Sequence, residues 1–495
     1  MATTAVDADQ QTLKDPVKYE GKQSELSLSP DGMLRWTAPC GGERCLVIEN
    51  EVLGFAGEGA QLTVRAYVEK GVGFFCGAGR RHRERKDYVF EMSSEDSRRN
   101  WSGKLKEHID LLGRPKRLFV VVNPFGGSKS ALKIFHKEVH PMLVAADVQF
   151  TLQETHHQLH AKSLAHSLDL SKYDGIVCVS GDGVLVEVVN GLLQREDWAA
   201  AIKMPIGVVP AGTGNGMAKS LLDSADDCCS PANAVMTIIR GHRCPLDVAT
   251  VLQQGKRFFS VLMLSWGLIA DIDIESERYR WMGSSRLDFY CIVRILWLRR
   301  YQGRIFFVPA PGYEAFGEPV KQSSEASSTL DMWQQNQEAN PNVQRSGYQG
   351  PTTRFEKSEW KTIEGPFISV WLHNVPWGSE DTMAAPDAKF SDGYLDLIVT
   401  QNCPKSSLLG MMTKLKDGSH VKSPYIKYLK VKALQLEPGN RTGEKSTGGI
   451  IDADGEVLAR GEGTYRNGQG DLMAYGPPIQ MTVDKGLATL FSPRS

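Results

Sequence analysis

The chain of 495 residues has no long hydrophobic run: its longest nearly apolar stretch, Phe258 to Ala270, is broken by Ser260, Ser265 and Gly267. That is far short of the roughly 18 to 20 residues that cross a bilayer as a helix. Net charge is almost absent, since 57 Lys plus Arg against 58 Asp plus Glu leave −1. No global field is therefore available to hold nucleic acid by counterion release, and nucleic acid is not an expected partner. The nine cysteines, an odd number, include no C-x-x-C pair. This argues against a disulfide framework or a zinc ribbon and predicts reduced thiols, mostly in cores. The opening residues MATTAVDADQQTLKD offer neither a cationic n-region nor an apolar h-region, so a cytoplasmic location is expected. Also missing are G-x-x-x-x-G-K-[ST], G-x-G-x-x-G and the H-R-D and D-F-G pair. P-loop NTPases, Rossmann dehydrogenases and protein kinases are accordingly poor fits.

What is present falls into blocks. At about 150 residues per domain the length predicts roughly three domains, and 41% hydrophobic residues suffice for more than one core. Residues 1–24 are polar and aperiodic and read as a flexible tail. From residue 25, short runs rich in Val, Leu, Phe and Tyr, such as LVIENEVLGFAG, QLTVRAYVEKG and DYVFEM, alternate with Gly turns and predict a small antiparallel β unit. Ser93-Ser94-Glu95-Asp96 then opens a helix with Trp101, Leu105, Ile109 and Leu112 on one face. This unit, residues 25–112, resembles a pleckstrin-homology (PH) domain. Its basic cluster Arg80-Arg81-His82-Arg83-Glu84-Arg85-Lys86 falls where such domains meet anionic head groups, so peripheral contact with an anionic membrane surface is expected.

After the Gly113-Arg114-Pro115 break, continuous apolar strands (LFVVV, GIVCV, MPIGVV) alternate with helical stretches, which predicts an α/β domain over 113–245 with a parallel sheet. Residues 246–495 read as a mostly β lobe. Within it, 317–362 is polar and aperiodic and is expected to be a disordered insertion.

Three glycine turns carry the chemistry, each at the carboxyl end of an α/β strand, where open sheets bind ligands. They are Asn123-Pro124-Phe125-Gly126-Gly127, Ser180-Gly181-Asp182-Gly183 and Pro210-Ala211-Gly212-Thr213-Gly214-Asn215-Gly216. Glycines let backbone N–H groups approach a phosphate, and a following helix adds partial positive charge. Any one such turn is often a tight connection and nothing more. Three in successive units of one sheet point to a phosphate-binding site.

Together NPFGG, SGDG followed by EVVNGL, and PAGTGNG resemble the catalytic fold of the diacylglycerol-kinase superfamily. With Leu264-Ser265-Trp266-Gly267-Leu268-Ile269-Ala270-Asp271-Ile272-Asp273 and the RYRWMGSSR that follows, the match within it is closest to sphingosine kinases. The resemblance implies an α/β nucleotide-binding lobe against a β-sandwich lipid lobe, preceded here by the PH-like unit. It implies Asp182 as the catalytic base, since an alcohol attacking a γ-phosphoryl needs a carboxylate in reach of its proton. It further implies a substrate contact by Ser180, Gly181, Asp182 and Gly183. ATP would be met by Asn123, Pro124, Phe125, Gly126, Gly127, Thr155, His156, His157, Gln158, Leu159, Glu187, Gly212, Thr213, Gly214, Arg280, Arg286, Asp454, Gly455 and Glu456. Asp273 would pair the ammonium of a sphingoid long-chain base, which ceramide and diacylglycerol lack, because a buried acid needs a partner.

Magnesium is expected to neutralise the phosphates, with ligands unassigned. His156, His157 and His160 read as structural residues more readily than as a metal site. The expected reaction is ATP-dependent phosphorylation of the primary hydroxyl of sphingosine, dihydrosphingosine or phytosphingosine. The alternatives are a ceramide or diacylglycerol kinase, or a lipid-binding scaffold without turnover. Oligomeric state is not legible at this level.

Overall fold

A computed structural model describes residues 12–69, 83–126, 129–283, 285–320, 346–466 and 470–493. Of the sequence expectations, Gly127, the start of the basic cluster (Arg80, Arg81, His82), part of the N-terminal tail, residues 321–345 of the insertion and the side chain of Arg280 lie outside the described residues.

Strands β1 (Leu13–Tyr19), β2 (Lys22–Leu28), β3 (Met33–Thr37), β4 (Glu43–Val47), β5 (Val52–Glu58), β6 (Gln61–Glu69) and β7 (Arg83–Met92) form an antiparallel sheet in the order β4-β3-β2-β1-β7-β6-β5. Helix α1 (Glu95–Leu111) closes it, capped by Ser94 and burying Trp101, Leu105 and Ile109. The tail expected over 1–24 is thus strand from Leu13 onward. β1 and β2 alternate, with only Val17, Tyr19, Leu26 and Leu28 buried, and so few apolar residues look aperiodic on paper. Trp101 anchors the sheet start through a 2.7 Å hydrogen bond from Nε1 to Asp15.

This unit is docked on the next one. Leu53 and Tyr67 belong to the core of the α/β domain. Arg114 donates to the carbonyls of Val52 and Glu49, Arg240 to that of Asn50, and Arg65 to that of Ala145. Buried guanidiniums thereby satisfy carbonyls that would otherwise lose water unpaired.

The α/β domain has four parallel strands, β8 (Arg117–Val122), β9 (Gln149–Glu154), β10 (Gly175–Ser180) and β11 (Ile206–Pro210), in the order β9-β8-β10-β11. Helices α2 (His160–Ser167), α3 (Asp182–Leu193), α4 (Gly216–Asp223) and α5 (Pro231–Arg240) cover its faces, as continuous Val and Ile strands require.

The second lobe contains β12 (Arg243–Gln253), β13 (Lys256–Ser260), β14 (Met263–Gly267), helices α6 (Leu268–Glu275) and α7 (Ser285–Leu296), β15 (Tyr301–Pro309), β16 (Glu318–Pro319), β17 (Lys361–Glu364), β18 (Ser369–His373), β19 (Trp377–Ser379), β20 (Thr382–Met383), β21 (Leu395–Thr400), helix α8 (Lys405–Thr413), β22 (Ile426–Arg441), β23 (Ile450–Ala453), β24 (Glu456–Arg460) and β25 (Ile479–Phe491). Its core gathers Trp266, Tyr301, Phe307 and Phe367.

β25 returns to the α/β domain. It runs parallel to β11 and antiparallel to β12 and β22, joining both lobes in one sixteen-stranded sheet. The division expected at residue 246 is therefore not a clean boundary, because the C-terminal strand is shared. The insertion expected to be disordered over 317–362 is ordered in its described parts. β16 pairs with β17, Trp360 is buried, and Tyr348 packs 4.5 Å from Trp198 and donates a 2.6 Å hydrogen bond to Asp484. A few aromatic anchors hold a segment whose composition is otherwise polar. None of the eight described cysteines forms a disulfide, and only Cys178 and Cys403 are buried, so the expectation of core thiols holds for a minority.

Candidate active site

The three turns meet at the carboxyl ends of β8, β10 and β11. At the first, Asn123 Oδ1 accepts the amide of Phe125 at 2.9 Å, and a Cβ on Gly126 would come within 3.2 Å of Asn123 and 3.7 Å of Ser180 Oγ. The second and third turns are pressed together. A Cβ on Gly181 would lie 2.7 Å from the Gly214 carbonyl, so the close approach demands glycine there. The amide of Asp182 donates to that same carbonyl at 3.2 Å. Asn215 braces the third turn by accepting from the Gly212 amide and donating to the Gly212 carbonyl, and it reaches Glu380 at 2.6 Å.

Asp182 is the first residue of α3 and is buried at this junction. Its Oδ2 accepts the amide of Gly216 at 2.7 Å and its Oδ1 the amide of Met217 at 3.0 Å, so the carboxyl caps the start of α4. Burial pushes it up to about 6 in spite of these two amides, with the charges of Asp454 and Glu380 adding to the rise. A carboxyl so placed is fixed in orientation and ready to take a proton near neutral pH.

Glu187, one turn and a half further along α3, accepts the amides of Leu159, Ala161 and Lys162. It therefore caps α2 and fixes the Thr155 to Leu159 loop, in which Leu159 has a left-handed φ of 63°. Within that loop the His156 amide donates to His160 Nδ1, and the rings of His157 and His160 stack at 4.7 Å. The histidines contact one another. Gln158 reaches across to the second lobe and donates to Glu456 at 2.9 Å. The late D-G-E turn thus arrives beside the Thr155 to Leu159 loop.

In that turn Asp454 has φ 55° and is fully engaged with the protein. It accepts from Ser260 Oγ and from the amides of Val261, Leu262 and Met263. Its carboxylate anchors the β13–β14 connection, and it sets Gly455 (φ 83°) and Glu456 in place. Glu456 is pushed up by burial and by the nearby charge of Glu187.

The segment holding Asp271 and Asp273 is helix α6 rather than the continuation of a strand. Gly267 makes this strand-to-helix corner at φ 89°, where a Cβ would meet the Ile368 carbonyl at 2.5 Å. The two acids then diverge. Asp271 accepts from Arg299 (3.1 Å) and Tyr301 (2.6 Å), while Glu275 one turn on accepts from Arg299 and Tyr290. That network is structural. Asp273 is raised by burial, with Arg286 the cation opposing the rise. Arg286 itself is buried, donates to Ser276 at 3.0 Å and pairs with Glu277 at 2.6 Å. Phe289 and Trp297 are 42% and 66% exposed, while α7 buries Arg286, Tyr290, Arg294 and Ile295.

Sequence reasoning missed Glu380 and Asp452, and placed Asn215 in the third glycine turn without its bracing role. Asn215 and Glu380 act through contacts across 165 positions, which no local pattern announces. Asp452 is fully buried on β23 and lies two residues before Asp454; strand alternation carried back from Asp454 would have found it.

Residues 117–251 match the diacylglycerol kinase catalytic domain, and 359–467 match the YegS C-terminal NAD kinase beta sandwich-like domain. Sphingosine kinase 2 of Arabidopsis thaliana is 57% identical over 478 residues, covering 96% of each chain. Sphingosine kinase 1 of the same plant is 55% identical over 97% of this chain and 96% of its own. Human sphingosine kinase 1 is 33% identical over 70% of this chain and 88% of its own. With near full-length identity of this order, and the glycine turns, Asp182 and the D-G-E turn gathered at one cleft, the chain belongs to the sphingosine kinase family.

Proposed function

We infer that the protein transfers the γ-phosphoryl of ATP to the primary hydroxyl of a sphingoid long-chain base, giving its 1-phosphate and ADP. The observation that carries this reading is Asp182, held by two amides where the second and third glycine turns meet and under the charge of Asp454 of the second lobe. The nucleotide lies along the three turns, whose glycines let the backbone come close to a phosphate. The Thr155 to Leu159 loop and Glu456 border it.

As the lipid hydroxyl attacks phosphorus, its proton passes to the Asp182 carboxylate while the bond to the leaving ADP oxygen breaks. Asp273 pairs the neighbouring ammonium, which positions the hydroxyl and rejects lipids without that cation. Magnesium, when bound, would neutralise the charge of the β/γ-phosphates, relying on those phosphates with one or two carboxylates.

No helix among the described residues is long and apolar enough to cross a membrane. Peripheral contact is supported instead by α7, whose Phe289, Ile292 and Leu296 are exposed with Trp297 just beyond and Leu409 of α8 beside them. Single aliphatic and aromatic residues on a surface are ordinary, but a contiguous group next to a lipid site marks an interaction face. The test of the reaction is Asp182→Asn: turnover of a long-chain base should fall by about 10²-fold or more with the melting temperature retained. Wild-type turnover in that variant overturns the mechanism.

A further inference from the structure

Asp452 is a fully buried acid of the second lobe that no cation among the described residues neutralises. It is 0% exposed and sits in β23 opposite Ser265 of β14. Its Oδ2 has one long contact, 3.5 Å from Ser265 Oγ, and its Oδ1 has no hydrogen-bond partner. Among the described residues it forms no ion pair. Helix α6 covers this strand through Ala270 and Ile274 on Ile450, and the charges that act on Asp452 are those of Asp273, Asp454 and Glu456. Asp454, two residues on, is different, for four donors satisfy it.

A buried carboxyl oxygen with no donor costs free energy that an apolar residue at the same place would avoid. It also cannot lie against a hydrocarbon tail without that cost. What would satisfy it is a polar ligand group close to the one Asp273 receives. In a sphingoid base the primary hydroxyl goes to Asp182 and the ammonium to Asp273. The polar group left is the hydroxyl on the next carbon along, one bond beyond the ammonium-bearing carbon.

We propose that Asp452 is a specificity-determining residue of the head-group pocket, its free carboxyl oxygen hydrogen-bonding the secondary hydroxyl beside the ammonium-bearing carbon. The inference rests on the sphingoid-base reading above. Burial among three other acids pushes Asp452 well above the usual carboxylate range, so it is held protonated and is able to donate as well as accept. The pocket then reads three neighbouring groups with three acids: Asp182 the reacting hydroxyl, Asp273 the cation, Asp452 the second hydroxyl.

The experiment compares kcat/KM of the full-length enzyme for sphinganine and for the same base lacking only that secondary hydroxyl. Wild type should prefer sphinganine by about tenfold or more, the discrimination expected when a site built for a hydroxyl receives none. Asp452→Ala should bring the ratio close to one by losing activity on sphinganine alone. Asp452→Asn, nearly isosteric and still able to hydrogen-bond, should keep most of the preference. Equal use of the two bases by wild type overturns the proposal without recourse to any variant, as does an equal loss on both bases in Asp452→Ala. Failure of the underlying reading looks different: wild type would transfer phosphate to neither base.

Discussion

Gln158 of the α/β domain donates a 2.9 Å hydrogen bond to Glu456 of the second lobe, joining residues 298 positions apart. The bond ties the loop held by Glu187 to the turn anchored by Asp454, so the nucleotide cleft is bordered by two loops each fixed from behind. Gln158→Ala should therefore raise the KM for ATP several-fold while changing kcat for the lipid much less, the expected signature of lost ground-state positioning. Steady-state kinetics with each substrate varied in turn would measure it. An unchanged KM would show that the bond does not shape the nucleotide site.

Gly181 and Gly214 approach so closely that a methyl group at Gly181 would meet the Gly214 carbonyl at 2.7 Å. Gly181→Ala must push the second and third turns apart and with them the amides that hold Asp182. Small displacements at a reacting centre are costly, and about 10²-fold in kcat is expected. Gly103→Ala, on helix α1 and away from the site, is the control, since a Cβ there would meet nothing within 4 Å and the fold should tolerate it. Equal thermal stability of the two variants with unequal activity would confirm the prediction.

Acid should inactivate the enzyme earlier than an ordinary carboxylate would allow. Asp182 is raised to about 6 by burial, and it must be deprotonated to accept the hydroxyl proton. As pH falls through that value the active fraction declines, by about tenfold per pH unit once well below it. The acid limb of kcat/KM against pH should accordingly break near 6. A break near the ordinary aspartate value of about 4 would contradict the burial of this group in the working enzyme.

Helix α7 gives the membrane prediction. Ile292 and Leu296 are 50% and 56% exposed, with Lys405 bonded to the Leu296 carbonyl beside them. Replacing both apolar residues by Glu should weaken binding to anionic vesicles by about tenfold or more, through lost apolar burial and added repulsion. Turnover of detergent-dispersed base should stay near wild type. Vesicle sedimentation reads the first and a micellar kinase assay the second; unchanged sedimentation would remove α7 from the docking face.

The parts of the site legible in the sequence are those built locally. Asn123 to Gly126, Ser180 to Gly183 and Gly212 to Gly216 each announce themselves as strand, glycine turn and helix, and Asp182 stands out between its two glycines. What could not be read depends on chain segments distant in sequence. The cap that Glu187 places on α2, the brace of Asn215 by Glu380 and the return of β25 to β11 have no local signature. Asp271 and Asp273 look alike on paper, and only the helical turn at Gly267 sends one to Arg299 and the other toward Arg286 and Asp452. The N-terminal strands were hidden for a further reason, since Leu13 to Leu28 buries too few apolar residues for its alternation to rise above the polar background. Tyr348 shows the reverse case, a single aromatic that fastens a stretch of disordered composition to Trp198 and Asp484.

The most direct test of the account offers the purified enzyme radiolabelled ATP and magnesium with sphinganine, ceramide and diacylglycerol together, each in the same detergent micelles. Label should go to sphinganine over the neutral lipids by well above tenfold, and Asp273→Asn should lose most of that preference by losing activity on sphinganine. Comparable labelling of ceramide or diacylglycerol by the wild-type enzyme would contradict the role given to Asp273 and, with it, the assignment of the substrate.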